Sequence, residues 1–365
     1  NREWTDHGLD IVTGIEANRS YTDNAVVAGK NLSGEFQEPK IIGTMLGNNS
    51  AYIGGESYTF SFFNRIDYKF KQRYLLGASF VREGSSKFVK ENRFGDFYSV
   101  SGGWIISDEA FMESSNDWLS NLKLRIGYGV TGNSGGIGAY GTLTNAIIYS
   151  SSGISIGGNN VPFAQYTGTY SNPDLGWEKS HNWNIGVDFG LLSNRIDGSI
   201  EWFTTKTKGL LFKRTLPVTT GNTGWGRPLD IWENLAETSN MGVEATINSH
   251  NIKTKDFSWD TTLSFTWSKE KINSLPTGDL IKENLFEGQP IHALYPDVIL
   301  GLNNTLTYKN FDLSIFAMAR YGQTIKSSLI GWYRASSNYS INQPAGVDYW
   351  TENNQGAYYP VPGSG

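Results

Sequence analysis

The sequence predicts an all-β fold, a transmembrane antiparallel β-barrel, on three observations. Apolar and polar residues alternate over segments of about ten residues or more, enough to cross a bilayer when tilted. Short turns and long polar loops alternate between those segments, the length asymmetry of outer-membrane barrels. Tyr and Trp sit near segment ends, where aromatic side chains straddle an apolar layer and water.

Eleven segments carry the pattern, near residues 7–18, 58–70, 73–83, 96–106, 121–131, 180–191, 195–206, 240–249, 257–269, 298–308 and 311–321. In the second, Tyr58, Phe60, Phe62, Ile66, Tyr68 and Phe70 alternate with Thr59, Ser61, Arg65, Asp67 and Lys69. In the fifth, Leu122, Leu124, Ile126, Tyr128 and Val130 alternate with Lys123, Arg125, Gly127, Gly129 and Thr131. In the sixth, Trp183, Ile185, Val187 and Phe189 alternate with Asn182, Asn184, Gly186 and Asp188. In the ninth, Trp259, Leu263, Phe265 and Trp267 alternate with Asp260, Thr262, Ser264 and Thr266. Successive strand side chains point to opposite faces. Phe60, Phe62, Leu124, Ile126, Ile185, Val187, Leu263 and Phe265 are therefore expected to face lipid. Arg65, Lys123, Arg125, Asp188, Asp197, Glu201, Asp260 and Thr262 are expected to face a wet lumen. Turns near Lys71-Gln72, Leu192-Ser193, Asn251-Ile252 and Lys309-Asn310 are expected to be periplasmic. Loops 83–96, 132–178, 207–238 and 270–297 are expected outside the cell.

The competing architecture is a soluble β-sandwich, which also buries one face and wets the other. Its strands are usually five or six residues long, shorter than these segments. Aromatics at 14%, Gly at 42 of 365 and an apolar share of only 38% also suit a barrel better than a compact core. No run approaches the ~18 apolar residues of a membrane helix. A net charge of −5 argues against a nucleic-acid partner. An odd number of antiparallel strands does not close the usual single-chain barrel, and an open edge in lipid leaves backbone groups unsatisfied. The expectation is part of a larger barrel, residues 1–365 being one partial barrel without a domain linker, the remainder outside this sequence. Asn1-Arg2-Glu3-Trp4 reads as neither an initiator nor a signal peptide.

Specific stretches resemble one family. Tyr74–Phe80 (YLLGASF), then Arg82–Phe88 (REGSSKF), Leu119–Asn133 (LSNLKLRIGYGVTGN) and Asn172–Lys179 (NPDLGWEK, with Gly176 where Lys is usual) stand in order. Leu216-Pro217, Thr219–Gly221, Asn240–Glu244 (NMGVE), Glu287–Ile291 (EGQPI) and Tyr308–Ser314 continue the series. The ordered set resembles SusC/RagA-type TonB-dependent outer-membrane transporters of Bacteroidota, over essentially the whole chain.

The resemblance implies a 22-stranded barrel filled by an N-terminal plug, with a TonB-engaging segment; none of these is visible in this sequence. It also implies a missing stretch at 297/298, and further strands beyond Asp348–Thr351. Implied too is energised import through the outer membrane with TonB and a SusD-like surface lipoprotein, in dimers of transporter–lipoprotein pairs. Glycans are the common cargo and peptides the cargo of some relatives. Tyr166, Trp225 and Trp232, in long segments between strands, are the candidate ligand contacts, because aromatic faces stack on sugar rings while polar groups bond hydroxyls. A siderophore or vitamin receptor remains open, as does a soluble extracellular glycan-binding or hydrolytic β-protein.

Enzymatic readings are weak. Gly127–Gly132 matches GxGxxG, which needs a helix start after a strand to hold a pyrophosphate; an alternating strand runs through it here. Gly153–Gly157 matches GxSxG, but sits in a Gly/Ser loop without the following helix of a nucleophile elbow. His7, His181, His250 and His292 lack metal-ligand spacing. Asp108, Glu109 and Glu83 read as solvated turn residues rather than a carboxylate pair. No catalytic residue, metal or cofactor is expected.

Overall fold

The computed structural model describes residues 2–4, 6–27, 50–143, 146–156, 159–166, 169–217, 230–275, 285–291 and 297–322. The chain divides into two compact units, Asn1–Ile291 with Val298–Ala319, and His292–Asp297 with Arg320–Gly365. The first unit is described here.

In chain order the strands are β1 (Arg2–Trp4), β2 (His7–Val27), β3 (Ser50–Phe70), β4 (Tyr74–Ser85), β5 (Phe94–Ile105), β6 (Leu119–Asn133), β7 (Ala146–Ile156), β8 (Asn159–Tyr166), β9 (Thr169–Tyr170), β10 (Glu178–Leu191), β11 (Ile196–Thr215), β12 (Asp230–Lys253), β13 (Phe257–Ser274), β14 (Val298–Tyr308) and β15 (Phe311–Tyr321). One sheet runs β1-β2-β3-β4-β5-β6-β10-β11-β12-β13-β14-β15, with β9 added to β12 and β7-β8 forming a separate hairpin. Each of the eleven segments expected from alternation is one of its long strands. Among the described residues no ladder joins the two ends of the order, so the described wall is an open sheet.

The register lines residues up in rows that cross the sheet and alternate in character. One row reads Phe70, Tyr74, Trp104, Leu124, Val187, Ile200, Ala245, Phe265 and Leu300. The next reads Lys69, Leu75, Gly103, Arg125, Gly186, Glu201, Glu244, Thr266 and Ile299, on the other face. The following row returns to Tyr68, Leu76, Gly102, Ile126, Ile185, Trp202, Val243, Trp267 and Val298. A slip of one residue in any strand would exchange the faces. The groups expected to face lipid all fall on the apolar face, and Arg65, Lys123, Arg125, Asp188, Asp260 and Thr262 on the polar one.

The apolar face is bare. Ile15 is 72% exposed, Val100 58% and Leu76 57%. Water-soluble proteins rarely leave a continuous apolar patch of this kind uncovered. A sandwich would cover it with a second sheet, and among the described residues none does so; lipid is the solvent that suits it. No helix among the described residues is long and apolar enough to cross a membrane, which says nothing about crossing by strands.

Short connections gather at one end. Lys71 and Gln72 take φ of 49° and 55°, Leu192, Ser193 and Asn194 of 53°, 59° and 60°, and Lys309 of 53°. Such left-handed turns match the twist of the strands they join. The β5–β6 connection at this end is longer, with 3-10 turns at Ile106–Asp108 and Ala110–Ser115. Glu109 between them is no solvated turn residue: its side chain is 13% exposed. It accepts hydrogen bonds from Tyr74 Oη at 2.6 Å, Trp104 Nε1 at 3.0 Å and Arg73 Nη1 at 3.0 Å. The Tyr74 hydroxyl above all, then the Trp104 indole and Arg73, hold this carboxyl below its ordinary range.

Several boundaries differ from the sequence reading. The turn expected at Asn251-Ile252 lies at 254–256, because a register shift between His250 and Ile252 carries the ladder on to Lys253 opposite Ser258. The loop expected at 207–238 is mostly strand, β11 reaching Thr215 and β12 starting at Asp230. Register shifts between Thr207 and Leu211, with Gly209 at φ +63°, break the period-2 signal there. Likewise β13 runs to Ser274, into the loop expected at 270–297. The 132–178 segment holds the β7-β8 hairpin, so Gly153 and Ser155 of the GxSxG match are strand rather than loop residues. The join expected at 297/298 borders residues 292–296, which lie outside the described set.

Candidate functional site

Two regions can meet a solute: the polar face of the wall, and the ends of the strands on the long-loop side. On the wall, β6, β10 and β11 bring Arg125, Asp188 and Glu201 together. Arg125 Nε and Nη2 donate to the two Asp188 oxygens, both at 2.9 Å, and Nη1 donates to Glu201 at 3.3 Å. Asn184 Nδ2 donates to the other Glu201 oxygen. A bidentate guanidinium–carboxylate pair fixes orientation as well as charge. Gly186 makes room for it: a Cβ at that position would lie 2.9 Å from Arg125 Nη2. This network borders an open concavity of about 670 Å³ lined also by Asp10, Arg65, Asp67, Lys69 and Lys123. Both signs of charge alternate over a floor of Gly77, Ser101, Gly103 and Gly127. Such a surface can hydrogen-bond a neutral polar solute or the backbone of a segment resting on it. Alternation placed each of these groups on the lumen face, but nothing in it could choose Asp188 and Glu201 as the partners of Arg125.

At the loop side the strands are tied into a knot. Phe88, Ile137 and Leu175 form a cluster at 1%, 2% and 0% exposure, packed against Trp177, Leu211 and Trp232. Trp177 packs on Phe88 and edge-on to Phe97, with ring centroids 5.1 and 5.3 Å away. A second cluster joins Ala236, Ile272, Leu275 and Leu285. The segment Asn172–Glu178 carries Leu175 and Trp177 into the first cluster and is bonded to β12 and to the β4–β5 connection. Asn172 Nδ2 donates to the Trp232 carbonyl at 2.7 Å, Asn92 Nδ2 donates to the Pro173 carbonyl at 3.1 Å, and Trp177 Nε1 donates to the Arg93 carbonyl at 3.2 Å. Asn234 receives the Gly176 N–H at 2.8 Å and donates to the carbonyls of Gly176 and Gly209 at 3.0 and 2.8 Å. The buried Glu178 carboxylate accepts from Asn133 Nδ2 at 3.2 Å and from the Leu211 N–H at 3.1 Å, which pins β6, β10 and β11 to one another. Lys87 Nζ reaches the Ser134 carbonyl, and Thr142 the Lys87 carbonyl. Asn234 carried no sequence signal, since its partners lie up to 58 positions away.

The candidate ligand contacts are placed unequally. Trp232 is a residue of β12 rather than of a loop, half-buried against the Leu175 cluster. Tyr166 closes β8, and its side chain is outside the described set, as is the whole of Trp225. The GxGxxG match lies within β6, in line with the alternating strand expected there.

Comparison with known proteins follows the same lines. The family described as TonB dependent receptor-like, beta-barrel, matches residues 3–364. TonB-dependent receptor P3 of Formosa agariphila is 26% identical over 99% of this chain and 41% of its own length. TonB-dependent receptor SusC of Bacteroides thetaiotaomicron is 35% identical over 74% of this chain and 26% of its own. Among solved structures, that of the RagAB peptide transporter superposes with a TM-score of 0.79 at 20% identity, over 98% of this chain and 44% of that one. The chain thus spans less than half the length of these relatives.

Proposed function

Because the chain belongs to the TonB-dependent receptor β-barrel family, is of SusC/RagA type and so is an outer-membrane protein, we propose that it serves TonB-dependent import of oligomeric nutrients, glycans first, with a SusD-like surface lipoprotein. The family match over residues 3–364 carries this reading, and the pairing of a lipid-suited face with a wet, charge-patterned face across one continuous register supports it. A wall of that kind encloses a polar passage, and the knotted strand ends offer a rigid base for recognition loops. In this reading Trp232, Trp225 and Tyr166 contribute stacking surface for sugar rings, the segment 216–229 contributes to lipoprotein docking, and no bond is made or broken in the cargo.

The test uses the full-length transporter in its native host. Labelled oligosaccharides and labelled peptides are offered to the wild type, to a strain lacking TonB and to one lacking residues 218–229, with pull-down of the surface lipoprotein in each. Oligosaccharide uptake that needs TonB, with docking weakened by the deletion, is the expected result. Uptake of peptides alone changes the cargo. Uptake that persists without TonB, in a protein with no lipoprotein partner, makes a passive pore the better reading.

A further inference from the structure

We infer that the lipid-facing side of β10–β13 carries, at its loop end, a binding surface for the phosphate groups of a phosphorylated outer-leaflet glycolipid. Five lysines gather there: Lys179, Lys206, Lys208, Lys269 and Lys271, all exposed. Register puts them on the apolar face. Lys206 lies opposite Ser239, which lies opposite Lys271, while Lys269 lies opposite Met241, two rows above Val243 and Trp267 and on the same face. Lys179 and Lys208 are directly opposite each other.

Their height is set by the aromatic row beneath them. Tyr128 and Trp183 pack with centroids 4.7 Å apart, and Trp202 and Trp267 occupy the next row of the same face. Such rows mark the edge of the apolar layer. Lys269 lies in the row of Tyr128 and Trp183, and the other four lysines stand four to six residues beyond the Trp183, Trp202 or Trp267 of their own or the neighbouring strand, about 13–20 Å along strands tilted by ~45° and so about 9–14 Å in height, on the headgroup side of the edge of the apolar layer.

Charge supplies the second half of the argument. None of the five has an ion-pair partner among the described residues; the ion-paired lysine is Lys213, with Asp230, nearer the strand ends. Glu237, opposite Ser274, is the carboxylate that alternation places beside them. Like charges facing each other across a ladder are destabilising, as Lys179 and Lys208 are, and an anion between them removes that cost. On other strands basic groups of the same face are ion-paired, Arg19 with Glu56 and Arg82 with Asp96. Lys90 and Arg93, exposed and without an ion pair among the described residues, lie in the β4–β5 connection rather than on a strand face; at the loop end the unpaired positive charge of the lipid-facing strands is therefore concentrated on β10–β13, on the side of the leaflet rather than of the passage, and it is independent of the cargo.

The experiment uses the full-length transporter purified from outer membranes in a mild non-ionic detergent. Binding of bisphosphorylated lipid A and of the same lipid with its phosphates removed is measured by native mass spectrometry. The wild type is expected to prefer the phosphorylated form by at least ~10-fold, and K208Q or K271Q alone to weaken it about 5-fold, as for one basic side chain at an anionic surface. Replacing all five lysines by Gln abolishes the preference, and replacing all five by Arg keeps it. Folding of each variant is checked by heat-modifiable gel mobility. A wild type without preference overturns the inference, as does a folded five-Gln variant that retains it. If the five-Gln variant does not insert, unchanged preference in both single variants overturns it instead.

Discussion

In the wall, Leu124, Ile126 and Ile185 remain 37–46% exposed within the sheet, whereas in the knot Leu175 and Phe88 are at 0% and 1%. The two regions share strands but not a source of stability. The wall is one layer thick, so its apolar side chains pack sideways on one another, as Tyr128 does on Trp183, and outward only on lipid, and the hydrogen-bond ladder supplies much of its cohesion. The knot has a dry centre and satisfies loop backbone with side-chain amides and a buried carboxylate. A single chain thus passes from membrane-protein rules to soluble-protein rules within the length of β11 and β12, which at 20 and 24 residues far exceed the ~10 that a crossing needs.

That contrast can be broken most severely at Leu175. Leu175→Ala removes a fully buried side chain and is expected to cost the knot about 2–5 kcal/mol. Limited proteolysis on intact cells should then cut near 134–177 and 86–93, while the heat-modifiable gel shift of the barrel persists. Loss of the barrel itself would show that the regions are not separable.

Next comes the wall. Leu124→Arg places a charge on the lipid face and is expected to cost about 2–4 kcal/mol near the midplane, read by denaturant unfolding from vesicles. Thr262→Arg on the polar face should be much milder, and equal effects would break the assignment of faces. Asn234→Ala should cost about 1–3 kcal/mol through the groups it leaves unpaired, seen as faster hydrogen exchange at the Gly176 amide with the wall's exchange unchanged.

The smallest effect is at the opposite end. Because the Glu109 carboxyl is held below its ordinary range, its contribution is present above the unfolded value and lost as pH falls through the lower folded one. Acid should therefore loosen the 106–118 connection, and Glu109→Gln should remove that pH dependence. Tryptophan fluorescence of Trp104 and Trp118 checks it. The same loosening in the Gln variant would mean that another group titrates.

The two regions were also unequally legible. Tyr58–Phe70 and Leu122–Val130 disclose strand, face and depth by period alone, because every second residue meets lipid. Where β11 bulges at Gly209 the period fails, and with it the reading of 207–238 as loop. The ion cluster was half visible: alternation gave the faces of Arg125, Asp188 and Glu201, but their pairing depends on which strands are neighbours. The knot was legible only as a motif. NPDLGWEK carries a resemblance, yet that its Asn172 reaches Trp232 and its Gly176 meets Asn234 is a non-local fact with no period to announce it.

One feature of the knot bears on the protein's neighbours. Above Glu237, β12 has lost its pairing with β13, which stops at Ser274, and would present a naked strand edge. Exposed edges recruit strands from other molecules. Here β9 pairs with Asp230 and Ile231, Asn172 takes the Trp232 carbonyl, and the chain at Gly176 is clasped by Asn234. The most recognisable stretch of the sequence thus works as a selvedge, finishing the border of the fabric so that neighbouring molecules find no loose thread to extend.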